Sequence, residues 1–122
     1  MKHLLNFLAI TFLSVLFLNA NGEEVVNIQY NGRGSHIEHY TPADMPIVYF
    51  YSEAMEIIIE AEGYADYYVV EVISMVSDQT LIYTQIDGYG DTIDISALPD
   101  AYYQIIITSS NNNVFEGTFL IE

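Results

Sequence analysis

Hydrophobic and polar positions after residue 24 recur with a period of two, the period of a strand with one covered face. Eight such runs are readable, at residues 25–30, 47–52, 55–60, 67–76, 80–86, 92–95, 101–108 and 114–121, and they are rich in the β-branched and aromatic residues that suit a pleated surface. In the third run Met55, Ile57 and Ile59 fall on one face, with Glu56 and Glu60 on the other. In the last, Phe115, Gly117, Phe119 and Ile121 point inward, Glu116 and Thr118 outward. Clusters of turn residues separate the runs: Asn31-Gly32-Arg33-Gly34-Ser35, Ser77-Asp78-Gln79, Asp87-Gly88-Tyr89-Gly90-Asp91, Ser96-Ala97-Leu98-Pro99-Asp100 and Ser109-Ser110-Asn111-Asn112-Asn113. Pro42 and Pro46 mark residues 36–46 as an irregular stretch.

Strands of this length, with turn signals about every 8 to 12 residues and no helical periodicity among them, predict an all-β fold. An antiparallel β-sandwich of seven to eight strands is the leading architecture, with a small closed barrel as the alternative. The run at 67–76 stands apart because both of its faces are apolar: Tyr68, Val70 and Val72 on one, Tyr67, Val69 and Ile73 on the other. The pattern predicts a central strand covered on both sides. Left open instead, the Tyr67, Val69 and Ile73 face would serve as a contact surface.

The N-terminus has a different pattern. Lys2 and His3 precede an apolar run from Leu4 to Leu18, and Ala20-Asn21-Gly22 follows with small residues suited to cleavage. Residues 1–22 are expected to be a secretory signal peptide and residues 23–122 a single exported domain, in the periplasm or at the cell surface. The run is short for a membrane span, and Glu23 and Glu24 flank it where a stop-transfer segment would carry Lys or Arg, so no membrane insertion is expected after cleavage.

Removing the leader removes the only lysine. Arg33 then stands alone against 17 carboxylates, a net charge of −16 compared with −15 for the whole chain. A domain this acidic repels phosphate backbones and lacks the cations that displace their counterions, which excludes nucleic acid as a partner. The absence of cysteine excludes disulfide staples, a thiol nucleophile, a thiolate metal site and a lipidated N-terminal cysteine. Stability is left to apolar burial and sheet pairing.

The second half carries a recognisable pattern. A strand and polar turn lead to Leu81-Ile82-Tyr83, a glycine-bearing loop, Ile93-Asp94-Ile95-Ser96-Ala97-Leu98-Pro99, Tyr103-Gln104-Ile105 and Phe115-Glu116-Gly117-Thr118-Phe119. It resembles the small exported immunoglobulin-like β-sandwich proteins of unknown function common in gut Gram-negative anaerobes. The resemblance implies a structural role for Tyr103, plugging one end of the sandwich with its hydroxyl bonded to a backbone group. Alanine stands at position 101 where that family has glycine. The pattern is also similar to C-terminal outer-membrane sorting domains, but the ending Phe119-Leu120-Ile121-Glu122 lacks their basic terminal strand.

Candidate chemistry is sparse. Asp87, Asp91 and Asp94 surround two glycines and are candidate Ca²⁺ ligands, although the loop lacks the ordered oxygens of a twelve-residue calcium site. His36 and His39, with Glu38 between, would offer two imidazoles to zinc only if a helix aligned them, and Gly34 and Pro42 speak against one. Paired carboxylates arise inevitably among 17 acids, and no nucleophile-elbow pattern accompanies a serine, so no catalytic residue, enzyme activity or cofactor is expected. The eleven tyrosines say more, because tyrosine joins apolar area to a polar tip. Tyr49 and Tyr51, with Tyr67, Val69 and Ile73, form the candidate interaction surface. The expected function is a binding or assembly module for a protein or cell-surface partner. A carbohydrate-binding module that stacks tyrosines on sugars, and a structural or Ca²⁺-stabilised domain, are the alternatives.

Overall fold

The computed structural model describes residues 22–31 and 41–122; the expected leader up to residue 21 and the His36 and His39 pair lie outside the described residues. Nine strands follow in order: β1 (Glu23–Val26), β2 (Gln29–Tyr30), β3 (Ile47–Tyr51), β4 (Glu56–Glu60), β5 (Tyr67–Ser74), β6 (Thr80–Asp87), β7 (Gly90–Asp94), β8 (Ala101–Ser109) and β9 (Val114–Ile121). They form a four-stranded sheet ordered β1-β3-β4-β7 and a five-stranded sheet ordered β2-β9-β8-β5-β6. Every pairing is antiparallel. No strand is shared between the sheets, so the architecture is the β-sandwich and not the closed barrel.

Alternation decides which side chains meet between the layers. Val48, Phe50, Ile57 and Ile59 from one sheet are buried against Tyr68, Val70, Val72, Ile105, Ile107, Phe115 and Phe119 from the other. The Phe50 and Phe119 rings meet across the layers with centroids 5.4 Å apart, and Phe119 stacks on Tyr103 at 5.6 Å. Each fully buried aliphatic or aromatic side chain contributes on the order of 2 kcal/mol relative to exposure. Tyr103 is wholly buried and donates its hydroxyl to Pro99 O at 2.6 Å, the end plug that the resemblance implied. Ala101 simply begins β8 opposite Ile121 and is not among the residues of positive φ, so this turn does not need glycine there.

Three expectations are corrected. Residues 25–30 are not one strand: β1 pairs with β3 in one sheet and β2 with β9 in the other, the chain crossing between layers at Asn27 and Ile28. Val26 and Ile28 both stay buried through the crossing, so the alternation is continuous while the hydrogen-bonding partner changes. Gly117 makes room for it, since a Cβ there would lie 2.9 Å from Asn27 O and 2.8 Å from Ile28 Cγ2. The long strand also stops at Ser74, short of Val76, because Ser74 Oγ accepts the amides of Val76 and Ser77 and turns the chain.

The third correction concerns the outer face of β5, expected to be covered. A two-layer sandwich has no third layer, and nothing among the described residues lies over this face. Tyr67 is 39 % exposed, while Val69, Glu71 and Ile73 are half-buried by the side chains of β6 and β8 alongside them. The strand is interior to its sheet and open on its outer face.

Candidate interaction surfaces

Edges come first, because an unpaired edge offers a row of free N–H and C=O groups. The four-stranded sheet ends in β1 and β7, which are four and five residues long and carry Glu23 and Glu24, and Asp91 and Asp94. Short length and charge are the usual defences against edge pairing. β2 is only two residues long. β6 differs from all three. It is eight residues long, reads Thr-Leu-Ile-Tyr-Thr-Gln-Ile-Asp, and carries no charge before Asp87 at its end. Leu81 and Tyr83 are exposed on it, Tyr83 at 71 %. Its outer side has no strand partner among the described residues.

Beside this edge the predicted Tyr67, Val69 and Ile73 lie in one row along the outer face of β5. The register sets Val69 opposite Gln85 of β6 and Thr108 of β8, and Glu71 opposite Tyr83 and Ile106. The surface is thus a mixed apolar and tyrosine strip continuous with the open edge, with Glu71 as the charge along β5. Tyr49 and Tyr51 are on the other sheet, facing away from this strip. Their rings are 6.4 Å apart and tilted by 44°, both half-buried, and the register places Val25 and Glu23 beside them. Partial burial, followed by a hydrogen bond to Glu23, raises the Tyr51 phenol above its ordinary value. The structure therefore divides the five predicted surface residues between opposite faces.

The three candidate Ca²⁺ ligands do not converge. Asp87 Oδ1 accepts the Tyr89 amide at 3.1 Å, Asp91 Oδ1 the Thr92 amide at 2.7 Å and Asp94 Oδ1 the Ser96 amide at 2.9 Å. The Ser96 backbone bond, then its side chain, holds the Asp94 carboxyl below the usual range. Three residues apart on one strand, Asp91 and Asp94 project to opposite faces. Among the described residues no three acidic or imidazole side chains gather as a metal site.

A cluster that the sequence pattern did not disclose lies at the end of the sandwich where β4 leads to β5, β6 to β7 and β8 to β9. Asp44 is buried there, 4 % exposed. Its carboxylate accepts Asn111 Nδ2 at 2.9 Å and Asn113 Nδ2 at 3.1 Å, and a bond from the Ser109 hydroxyl. Its carbonyl accepts the Tyr68 hydroxyl at 2.7 Å. Burial, with the Asp44 charge adding to it, pushes the Tyr68 phenol up to about 12. For Asp44 burial acts upward, but the bonds from Ser109, Asn111 and Asn113 outweigh it and hold its carboxyl below the usual carboxylate range. A lowered carboxyl pKa contributes stability that is present above the unfolded value and lost as pH falls through the folded one. Asp44→Ala is expected to cost about 2 kcal/mol at pH 7 by the loss of charged hydrogen bonds. In denaturant titrations the gap to the wild type should narrow below about pH 4, and a gap independent of pH would mean that the carboxylate charge does not hold the cluster.

No protein-family model matches the chain, and no curated protein matches it. Among solved structures it is similar to the crystal structure of a DUF3244-family protein with an immunoglobulin-like β-sandwich fold from Bacteroides vulgatus. The TM-score is 0.62 at 14 % identity, over 82 % of this chain and 99 % of that one. At that identity the likeness shows the fold. The chain is an immunoglobulin-like β-sandwich, as the resemblance of its second half implied.

Proposed function

We propose that this protein is an exported binding module, acting without catalysis, that receives an extended segment of a protein partner at the β6 edge of its five-stranded sheet. The observation that carries the reading is the contrast among edges: β6 alone is long and uncharged up to its last residue, whereas β1 and β7 are short and acidic. A strand added there gains main-chain hydrogen bonds, and the side chains that alternate toward the outer face reach Leu81, Tyr83 and the Val69 and Ile73 row for specificity. The leader supplies the location, outside the cytoplasm. Sugar stacking is less well supported, since the Tyr49 and Tyr51 rings are tilted by 44° and half-buried and offer no flat shared platform.

The test is site-specific photo-crosslinking in the producing cells. A photoreactive phenylalanine at position 83 is expected to trap a discrete protein partner, while the same group at position 91 on the acidic β7 edge is not. Leu81→Lys with Tyr83→Lys, two exposed positions, should leave the melting temperature within about 2 °C, surface changes costing little, and abolish capture by a probe at position 85. Equal trapping from positions 83 and 91, or trapping that survives both lysines, would defeat the reading.

A further inference from the structure

Beside the β2–β3 connection that carries Asp44, three fully described connections converge at this end of the sandwich: residues 61–66, the Gly88-Tyr89 turn and residues 110–113. Their composition differs from the opposite end. They contain Gly63, Tyr64, Gly88, Tyr89, Asn111, Asn112 and Asn113, whereas the opposite connections at 52–55, 75–79 and 95–100 contain no tyrosine, asparagine or glycine. Tyrosine, serine, glycine and asparagine are the residues of antibody-type binding loops, where a stiff ring supplies contact area at small entropic cost and short polar groups adapt their hydrogen bonds. In antibody variable domains such loops are gathered at one end of the sandwich.

These loops are also braced against one another. Ala61 N donates to Tyr89 O at 3.2 Å and Gly63 N to Gly88 O at 3.2 Å, tying the first two together. Asp66 N donates to Ser110 Oγ at 2.8 Å, Ser110 N to Tyr67 O at 2.9 Å, and Asn111 Nδ2 to Tyr64 O at 3.2 Å, tying the first to the third. Asp44 anchors Asn111 and Asn113 from beneath. The rings lie on the outside of this scaffold, Tyr64 60 % exposed and Tyr89 71 % exposed with its ring against Gly63. Polar bracing under exposed rings is preorganisation, which lowers the ordering cost of binding.

Charge selects the occupant. Glu62, Asp66 and Asp87 are exposed among these loops, three carboxylates close in sequence to the two rings. A guanidinium group matches both features, because its plane stacks on a tyrosine face while its fork of donors meets a carboxylate. We propose that this loop end is a second binding site, one that takes an arginine-bearing segment of a protein partner between Tyr64, Tyr89 and the neighbouring carboxylates. It shares no residue with the β6 edge before Asp87 and stands or falls apart from it.

The probe is a heptapeptide carrying four arginines, compared with lysine and glutamine counterparts of the same length, titrated against protein purified from cells expressing the full chain. Amide chemical-shift changes with the arginine peptide are expected to concentrate at residues 61–66, 87–91 and 110–113. Tyr64→Ala with Tyr89→Ala should weaken its binding roughly five- to thirtyfold, the loss of two exposed cation–π contacts. Tyr102→Ala, an equally exposed ring toward the opposite end, should leave it unchanged, and the Leu81→Lys, Tyr83→Lys protein should retain the shift pattern. Should the double variant misfold, Tyr64→Leu tested alone keeps the ring contribution measurable. Shifts spread evenly over all the acidic residues, equal affinity for the lysine peptide, or binding indifferent to both tyrosines would overturn the proposal.

Discussion

Gly90→Ala is expected to melt on the order of 20 °C below the wild type, at about 4 kcal/mol of lost stability and 4–8 °C per kcal/mol for a domain of this size. The reason is local and steric. The chain leaves β6 in one sheet and enters β7 in the other through Gly88 and Tyr89 alone, and Gly90 makes the bend at φ 102°. L-residues avoid that region. The bend also brings β7 against β4, so that a Cβ at position 90 would sit 1.9 Å from Ile59 O. That neighbour is backbone within a paired strand and has nowhere to go, since Ile59 is paired with Val48 on one side and Asp91 on the other. Thermal denaturation followed by circular dichroism measures the difference, with Thr92→Ala on the same strand as a near-neutral control. A Gly90→Ala protein melting within about 3 °C of the wild type would show that β7 does not cross as described.

Tyr103 gives the second large effect, and its two parts separate. Removing the ring with Tyr103→Ala is expected to cost about 4 kcal/mol, as for other large aromatic truncations in a core. Removing only the hydroxyl with Tyr103→Phe should cost about 1 kcal/mol, the net worth of a neutral hydrogen bond. The ring is wholly buried and stacked on Phe119, which in turn meets Phe50 across the sandwich, so truncation opens a void between both sheets. The hydroxyl donates to Pro99 O, four residues upstream, and steadies the connection from β7 to β8. Burial, then the charge of Asp100, raises this phenol above its ordinary value, so it remains protonated and donating through the neutral range. Urea titration of both variants measures the two costs, and equal losses would mean that the ring is not what fills the core.

Much of the fold was legible because strand alternation is written locally. The inward set Phe115, Gly117, Phe119 and Ile121 and the turn at Ser109–Asn113 are fixed by period and turn chemistry within a few residues. The crossing at Asn27 was not legible, because Val26 and Ile28 keep the same inward parity whichever sheet their backbone joins. The outer face of β5 misled for a related reason. Apolar residues on both faces signal cover only when a further layer exists, and layer number is not a local property. The carboxylates Asp87, Asp91 and Asp94 looked like ligands because they are near in sequence, yet each bonds a nearby amide of its own chain. Asp44 was silent altogether: it sits in an irregular stretch between two prolines, and its partners at 109, 111 and 113 are more than sixty residues away.

Sequence alone determined the all-β class, most strand positions, the inward residues and an acidic domain without cysteine, since each depends on neighbours along the chain or on composition. Tertiary structure decided which strands are edges, which faces lack cover and which loops meet at one end. Those follow from sheet order and from contacts between residues far apart in the chain. That is why the uncharged β6 edge and the braced tyrosine loops became visible only in three dimensions.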